Sequence, residues 1–151
     1  MLRMSKLTDY GTMVLAQLDA SDRRLTTAGQ LADATHLALP TVSKLLKALV
    51  HAGLVLSARG VQGGYALARP AESISAAEIL DALEGPVAIT ECSSSKGGCD
   101  FESYCRVGTA WQRINHSIRA ALEGVSLADL QQRREPLPSL RTSLRAAALA
   151  R

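Results

Sequence analysis

The chain has few aromatic residues and no long apolar run, and both absences narrow its class. Aromatic residues make up 3% of the 151 positions, whereas apolar residues make up 47% and are mostly Ala and Leu. Ala and Leu favour helices, so a β-sandwich or barrel is disfavoured. No apolar run approaches the roughly 18 residues of a membrane span, and the N-terminal segment lacks a signal-peptide cleavage site. We therefore expect a mainly helical, cytoplasmic protein that does not enter a membrane.

Cysteine is missing from the chain except in one stretch. All three cysteines lie within 91-ECSSSKGGCDFESYCR-106, which is rich in Gly and Ser. Disulfides are rare in a reducing compartment, and an odd number of thiols cannot pair completely within one chain. Clustered thiols in such a compartment are more often metal ligands or redox sensors. The stretch is therefore the first candidate site.

The spacing of Cys92, Cys99 and Cys105 lacks the CxxC pairs that are usual in structural zinc sites. Longer intervals on a glycine-bearing loop allow three thiolates to converge on something larger than one ion. Iron–sulfur clusters are held by cysteine thiolates, and other residues can replace one of the four. An iron–sulfur cluster, a thiol redox switch and a zinc site all stay open, and a cluster would need a fourth ligand from elsewhere.

Enzyme motifs are also missing. A nucleophilic cysteine is commonly activated by a histidine, and no histidine lies near the cysteines in sequence. The glycine-rich run 60-GVQGG-64 lacks the Lys-Ser/Thr ending of a phosphate-binding loop. We expect no catalytic residues and no enzyme, although an enzyme with a reactive cysteine remains a competing class.

Charge is distributed unevenly along the chain. Residues 1–70 hold 8 Lys or Arg against 4 Asp or Glu, residues 71–105 hold 1 against 7, and residues 106–151 hold 8 against 3. The first and last segments are basic and the middle segment is acidic, which suggests that the three have separate roles. A basic balance alone is weak support for nucleic-acid binding, because many basic faces are merely solvated.

The first 70 residues have the element order of a winged helix-turn-helix. Apolar spacing predicts helices over residues 5–20 and 39–53, and the capping-box spacing of Thr27 and Gln30 opens a short helix between them. Short strand candidates at 54–56 and 65–68 flank the glycine-rich turn, which predicts a hairpin. The expected fold class is mainly α with a small β-hairpin.

The helix at 39–53 predicts DNA binding. One face is apolar, and the opposite face carries Thr41, Ser43, Lys44 and Lys47. A recognition helix enters the major groove with its N-terminal residues at base edges, so we expect Thr41, Ser43 and Lys44 there and Lys47 at phosphate. The wing adds Arg59, Gln62 and Gly63, and an arginine of this kind can enter a narrow minor groove. The alternative is an amphipathic helix with a solvated polar face.

The rest of the chain divides into three parts. Residues 71–105 contain a connecting helix, opened by a Ser75–Glu78 capping box, and the cysteine loop. Residues 106–132 contain a long helix over 106–123, whose near-heptad apolar stripe could pair with a second subunit, and a short helix capped by Ser126 and Asp129. Residues 133–151 form a tail for which disorder and weak helicity are both open.

Several motifs together resemble the winged-helix iron–sulfur regulators typified by IscR and NsrR, and most of all the regulators of the SUF cluster-assembly operon. The likeness covers residues 1 to about 132. Its pieces are 8-TDYG-11, 39-LPTVSKLLKALVHAGLV-55, 59-RGVQGGYALA-68, the three cysteines and 111-WQRIN-115. The resemblance implies a homodimer joined through the long helix. It also implies a cluster near the dimer interface that controls binding to a palindromic operator, and repression of cluster-assembly genes.

The resemblance also implies a fourth ligand for the cluster, and two positions of the sequence bear on which residue it is. IscR-like members carry a histidine three residues after the last cysteine, where this chain has Gly108. NsrR-like members use an aspartate from the partner's first helix, which corresponds to Asp9. The resemblance therefore implies a 4Fe-4S rather than a 2Fe-2S cluster, held by the three cysteines and the partner subunit's Asp9. Asp9 could instead simply stabilise its helix N-terminus, and His116 and His36 are weaker ligand candidates.

Besides the enzyme with a reactive cysteine, two competing functions remain. A regulator of the same fold could use its cysteines as a redox switch without iron. A protein-interaction module could be built on the 106–123 helix. Salt-dependent binding to a palindrome would separate either regulator from the interaction module.

Overall fold

The protein folds into six α-helices and one β-hairpin within the residues that the structure, a computed structural model, describes: 4–18, 25–94, 99–100 and 104–131. The helices are α1 (Lys6–Ala16), α2 (Ala28–Thr35), α3 (Leu39–His51), α4 (Ala76–Leu83), α5 (Gly108–Glu123) and α6 (Leu127–Gln131). The antiparallel strands β1 (Val55–Ala58) and β2 (Gly64–Leu67) form the hairpin, with Val55 opposite Leu67. Short 3₁₀ turns lie at Ala71–Ser73 and Glu91–Ser93. The predicted fold class is confirmed.

Local capping explains where three of the helices begin. Thr27 opens α2 and Ser75 opens α4, each in a complete capping box with the residue three positions on. The Ser126 hydroxyl likewise accepts from the Asp129 N–H, and the Asp129 carboxylate accepts from the Ser126 N–H, at the start of α6. Each box satisfies backbone donors that a helix start leaves unpaired. All three predicted capping boxes are confirmed.

The first helix is shorter than predicted. The sequence predicts a helix over residues 5–20, whereas α1 ends at Ala16. The N–H groups of Gln17 and Leu18 bond to carbonyls three residues back, which tightens and ends the last turn. Leu18 nevertheless stays buried, at 1% exposure. The apolar pattern therefore outlasts the helix, and residues 19 and 20 lie outside the described residues.

A single hydrophobic core underlies α1, α2 and α3 and receives side chains from later in the chain. Its members at 0% exposure are Val14, Leu15, Leu31, Val42, Leu45, Leu46, Leu49, Ile74 and Leu127. Leu127 reaches this core because the chain after α5 returns to the segment before α4. There the Leu127 N–H bonds to the Ile74 carbonyl at 2.7 Å, and the Ala76 N–H bonds to the Val125 carbonyl at 2.8 Å. The long helix α5 is thus fastened at its C-terminal end to the body that carries α3.

The turn between α2 and α3 contains the one non-glycine residue with positive φ among the described residues. His36 has φ 56° and ψ 26°, in the left-handed region. A side chain in this conformation crowds its own backbone, which glycine avoids. The conformation lets the chain reverse between the two helices of the helix-turn-helix.

Replacing His36 with Gly is expected to raise the free energy of unfolding by about 1 kcal/mol, because the strain at this position disappears. Urea denaturation followed by circular dichroism measures the change. Ala34→Gly in α2 is the matched control, and should lower stability by about the same amount because it places glycine inside a helix. A loss of stability for His36→Gly would contradict the account of this turn.

Candidate nucleic-acid interface and cysteine segment

The helix α3 separates its apolar and polar residues onto opposite faces. Val42, Leu45, Leu46 and Leu49 are all at 0% exposure against the core. On the other side Ser43, Lys44 and Lys47 are exposed, and Thr41 is half-buried. The helix is thereby anchored along one face and offers short polar and cationic side chains on the other. This is the arrangement that entry into a major groove requires.

The hairpin projects a second set of predicted DNA contacts. Arg59 and Gln62 are exposed beyond the ends of β1 and β2, and Gly63 is half-buried. The Gly63 N–H closes the turn by bonding to the Gly60 carbonyl at 2.9 Å. A hydrogen-bond pair between Thr26 and Tyr65, with both N–H···O distances 2.9 Å, ties the hairpin to the segment before α2. The wing is therefore held to the helix-turn-helix.

Gly63 has a structural reason to be glycine. A Cβ added there would lie 2.4 Å from the Ala58 carbonyl oxygen and 2.9 Å from that of Gly60. Both atoms belong to the backbone of the hairpin, so they cannot move aside without opening the turn. The hairpin needs a residue with no side chain at this position.

Gly63→Ala is expected to distort the wing, lowering stability by about 1–3 kcal/mol and weakening operator binding. Thermal unfolding and fluorescence anisotropy with labelled DNA measure the two effects. Gly29→Ala in α2 serves as the control, because an added Cβ there meets nothing nearer than the Thr27 hydroxyl at 3.9 Å. Equal behaviour of the two variants would show that the close approach at Gly63 has no consequence.

Two residues that the sequence analysis did not assign to DNA lie on the same surfaces. His51, in the last turn of α3, lines a shallow depression together with Lys44 and Lys47. Val61 is fully exposed at the tip of the wing. The sequence pattern for 39–53 gives no signal for His51, because the residues of a recognition helix that read bases lie near its start and His51 lies at its end. Val61 is not predictable in this way, because an apolar residue in a turn belongs to no DNA-binding motif.

The first cysteine is held by specific contacts. Cys92 lies in the Glu91–Ser93 turn and is half-buried. Its Sγ is 3.2 Å from the Thr90 hydroxyl, which also contacts the Ser93 hydroxyl at 2.7 Å. The Gln112 side chain on α5 donates to the Cys92 carbonyl oxygen at 3.0 Å. Both the sulfur and the backbone of Cys92 are therefore positioned.

The other two cysteines are also half-buried, and none of the three forms a disulfide. Cys105 lies just before α5, where a Cβ added to Gly108 would be 3.7 Å from the Cys105 Sγ. Position 108, where the resemblance to IscR-like proteins predicts a histidine ligand, thus adjoins this sulfur. Glycine there offers no ligand.

Asp9 lies on the exposed surface of α1. It lines a depression together with Met4, Ser5, Lys6, Tyr10 and Glu84. Within the part of the chain that the structure describes, no three His, Cys, Asp or Glu side chains are grouped so that they could hold a metal ion. In one chain the three cysteines are therefore not grouped as metal ligands, either with each other or with Asp9. The cluster site and the role of Asp9 in trans stay predictions.

Glu84 fixes the helix that carries Asp9. Its carboxylate accepts hydrogen bonds from the Thr8 hydroxyl and from the Ser5 N–H, the latter at 3.0 Å. These bonds, the Thr8 hydroxyl first, lower the pKa of Glu84 below its ordinary value. The end of α4 is thus joined to the start of α1. Sequence reasoning missed Glu84 because its partners are more than seventy positions away.

The long helix α5 presents apolar side chains to its outer surface. Trp111 and Ile114 are 42% and 45% exposed, and Val107, immediately before the helix, is 56% exposed. On its other side, the Arg119 guanidinium forms two hydrogen bonds to the Asp81 carboxylate on α4, at 3.2 and 2.9 Å. The hydrogen bonds and charge of Asp81 raise the pKa of Arg119 further. One face of α5 is thereby docked on α4. The predicted apolar stripe is outside only in its first part, because Ile118 and Leu122 are half-buried.

None of the helices in the described ranges has both the length and the apolar character needed to cross a membrane.

Comparison with known proteins places the chain among transcription regulators. Residues 4–133 match the model of the Rrf2 family, described as iron-dependent transcriptional regulators. CymR, the global cysteine regulator of B. subtilis, is 27% identical with a TM-score of 0.69, covering 89% of this chain and 100% of that one. The oxidized form of Staphylococcus aureus CymR is 27% identical with a TM-score of 0.62, covering 89% and 100%. IscR of T. potens is 26% identical with a TM-score of 0.63, covering 93% and 96%.

Proposed function

Because the chain belongs to the Rrf2 family of transcriptional regulators, we propose that it is a homodimeric repressor that responds to iron–sulfur cluster or redox status. The family membership confirms the predicted resemblance, and the chain is a DNA-binding regulator of the winged-helix type. The finer proposal is that the protein acts in the cytoplasm on a palindromic operator. Its targets are genes for iron–sulfur cluster assembly.

The observation that carries the DNA-binding part is the exposed polar face of α3 beside the wing. Thr41, Ser43 and Lys44 lie near the start of the helix, the part that reaches base edges in such proteins. Lys47 lies one turn further on, where a cation meets phosphate. Arg59 and Gln62 extend the cationic and polar surface onto the hairpin. Direct base contacts supply sequence specificity, and phosphate contacts supply affinity.

The outward stripe of α5 supports the dimer. Three large apolar side chains at 42–56% exposure, two on α5 and one immediately before it, are unusual unless another surface covers them. A second copy offers the same stripe, and two helices with near-heptad apolar repeats pack against each other readily. A dimer would also carry two α3 helices, and a palindrome offers two half-sites about one DNA turn apart for them to read.

The donor chemistry of the cysteine segment fits an iron–sulfur cluster. Three half-buried cysteines without disulfides lie on one segment, and thiolates are the usual ligands of such clusters. A bound cluster would supply a centre that is sensitive to iron and oxidants. Cys92, Cys99 and Cys105 would hold it. Gly108 adjoins Cys105 without offering a ligand, which favours the partner subunit's Asp9 as the fourth ligand and the 4Fe-4S form over the 2Fe-2S form.

A thiol switch without iron is the second candidate. It is favoured by the same three free cysteines and by the likeness to a CymR whose structure is described as an oxidized form. In that case oxidation of the thiols would change operator affinity directly, and the purified protein would be colourless.

Selection of DNA from a random pool by the purified protein tests the regulator. We expect enrichment of a palindrome with half-sites about one helical turn apart, bound with a strong salt dependence. Adding promoter fragments of cluster-assembly genes to the same assay tests the proposed targets. Binding without any sequence preference would contradict the proposal.

A further inference from the structure

Apart from Gly108, the most buried residue of α5 is an asparagine, whose side chain is a polar amide. Asn115 is 9% exposed, whereas Trp111 and Ile114 on the same helix are 42% and 45% exposed. An amphipathic helix ordinarily turns its apolar residues inward. Burying an amide is unfavourable unless both its donor and its acceptor are paired. The position of Asn115 therefore calls for specific partners.

Both groups of the Asn115 amide bind the segment that leads to Cys92. The Nδ2 group donates to the Val87 carbonyl oxygen at 3.0 Å, and Oδ1 accepts from the Ile89 N–H at 3.1 Å. A carbonyl and an N–H two residues apart are the pair that a neighbouring strand would bind. The amide carries a donor and an acceptor in one plane, so a single side chain takes the place of that strand.

Gln112 makes the corresponding contact at the far end of the segment. Its Nε2 group donates to the Cys92 carbonyl oxygen at 3.0 Å. Gln112 and Asn115 are three positions apart, so they share one side of α5. The Thr90 hydroxyl, between the two contacts, touches the Cys92 sulfur at 3.2 Å. The path from Val87 to Cys92 is thereby fixed to α5 at both ends.

We propose that Asn115 and Gln112 are positioning residues that hold Cys92 on α5, so that a chemical change at this sulfur reaches the helix. The regulatory part of the inference rests on the proposed function. The positioning part concerns the protein without any metal or DNA. Cys92 is thus assigned as the cysteine whose segment is held to α5 by side-chain hydrogen bonds.

The reactivity of the three thiols tests the positioning. Metal-free protein is alkylated with iodoacetamide, and the rate at each cysteine is followed by mass spectrometry. Asn115→Leu and Gln112→Met keep the approximate side-chain size and the charge but remove the hydrogen bonds. His116→Leu is the matched control, since His116 lies exposed on the same helix.

We expect Asn115→Leu to raise the alkylation rate of Cys92 by about tenfold relative to Cys99 and Cys105, as the loss of buried hydrogen bonds implies. Gln112→Met should raise the same ratio less, and His116→Leu should leave it unchanged. Hydrogen exchange at the Ile89 amide should also accelerate in Asn115→Leu. An unchanged ratio, or an equal rise at all three cysteines, would overturn the inference, because a general loosening of the fold exposes every thiol alike.

The proposed function and the positioning of Cys92 are tested by different measurements, so the failure of one can be told from the failure of the other. If wild-type protein selects no operator, the regulator proposal is contradicted. The alkylation rate of Cys92 relative to the other two cysteines still tests the positioning by Asn115 and Gln112. If wild-type protein does bind an operator, Asn115→Leu should retain that binding in the metal-free state. The variant should then lose most of the difference in affinity between the forms with and without the cluster. A full difference in the variant would overturn the coupling of Cys92 to the helix.

Discussion

Replacing Lys44 with alanine is expected to weaken operator binding by at least about 30-fold, since a base contact contributes about 1–3 kcal/mol and a dimer loses two of them. Lys44 is exposed near the start of α3, on the face opposite the buried Leu45 and Leu46. The variant should also discriminate less well at the base pair it reads. Fluorescence anisotropy with operator variants, at fixed salt, measures both effects.

Lys47→Ala should behave differently, because a phosphate contact carries no sequence information. Affinity should fall for all sequences alike, and the slope of log affinity against log salt should shrink by about two for the dimer. Lys6→Ala on α1 removes the same charge far along the chain from the recognition helix and serves as the control for net charge. If Lys44→Ala and Lys47→Ala match this control, α3 is not the recognition helix.

Replacing any one of Cys92, Cys99 or Cys105 with alanine is expected to abolish the bound cluster. Three thiolates from one subunit leave a single position for another ligand, so loss of one leaves too few. Operator affinity should then become insensitive to iron and oxidant. His116→Ala, which removes a weaker ligand candidate on exposed α5, should keep both the colour and the response. A cysteine variant with wild-type response would contradict the sensor proposal.

The role of Asp9 in trans can be separated from a role within one subunit. In a heterodimer, one subunit carries Asp9→Ala and the other carries Cys92→Ala. If Asp9 acts across the interface, the intact cysteines of the first subunit meet the partner's Asp9, and one cluster per dimer forms. If Asp9 acts within its own subunit, neither site is complete and no cluster forms. Counting iron per purified heterodimer decides between them.

The sequence predicted those features of the fold that depend on local chemistry. The capping boxes at Thr27, Ser75 and Ser126 involve residues three positions apart, so spacing alone reveals them. The apolar face of α3 follows from its period. The predicted end of α1 was wrong, because the apolar spacing continues through Leu18 whereas the helix ends at Ala16.

Contacts between distant residues could not be predicted in this way. Glu84 binding the start of α1 and Asn115 binding Val87 and Ile89 each join a side chain to backbone groups far away in sequence. Such bonds have no periodicity and no fixed spacing. The sequence did predict the apolar stripe of α5, but it gave no sign that the side of the helix facing the body would be held by amides. The assignment of DNA contacts and cluster ligands remains a prediction.

The absorption spectrum of protein purified without air, with iron and sulfide counted on the same sample, tests the central claim most directly. We predict a brown protein with a broad charge-transfer band and equal amounts of iron and sulfide, about four of each per subunit as a 4Fe-4S cluster contains. About two iron and two sulfide ions per subunit would agree with an iron–sulfur sensor but contradict the 4Fe-4S form and the role of Asp9. A protein that stays colourless after reconstitution with iron and sulfide would contradict the iron–sulfur sensor and leave the thiol switch.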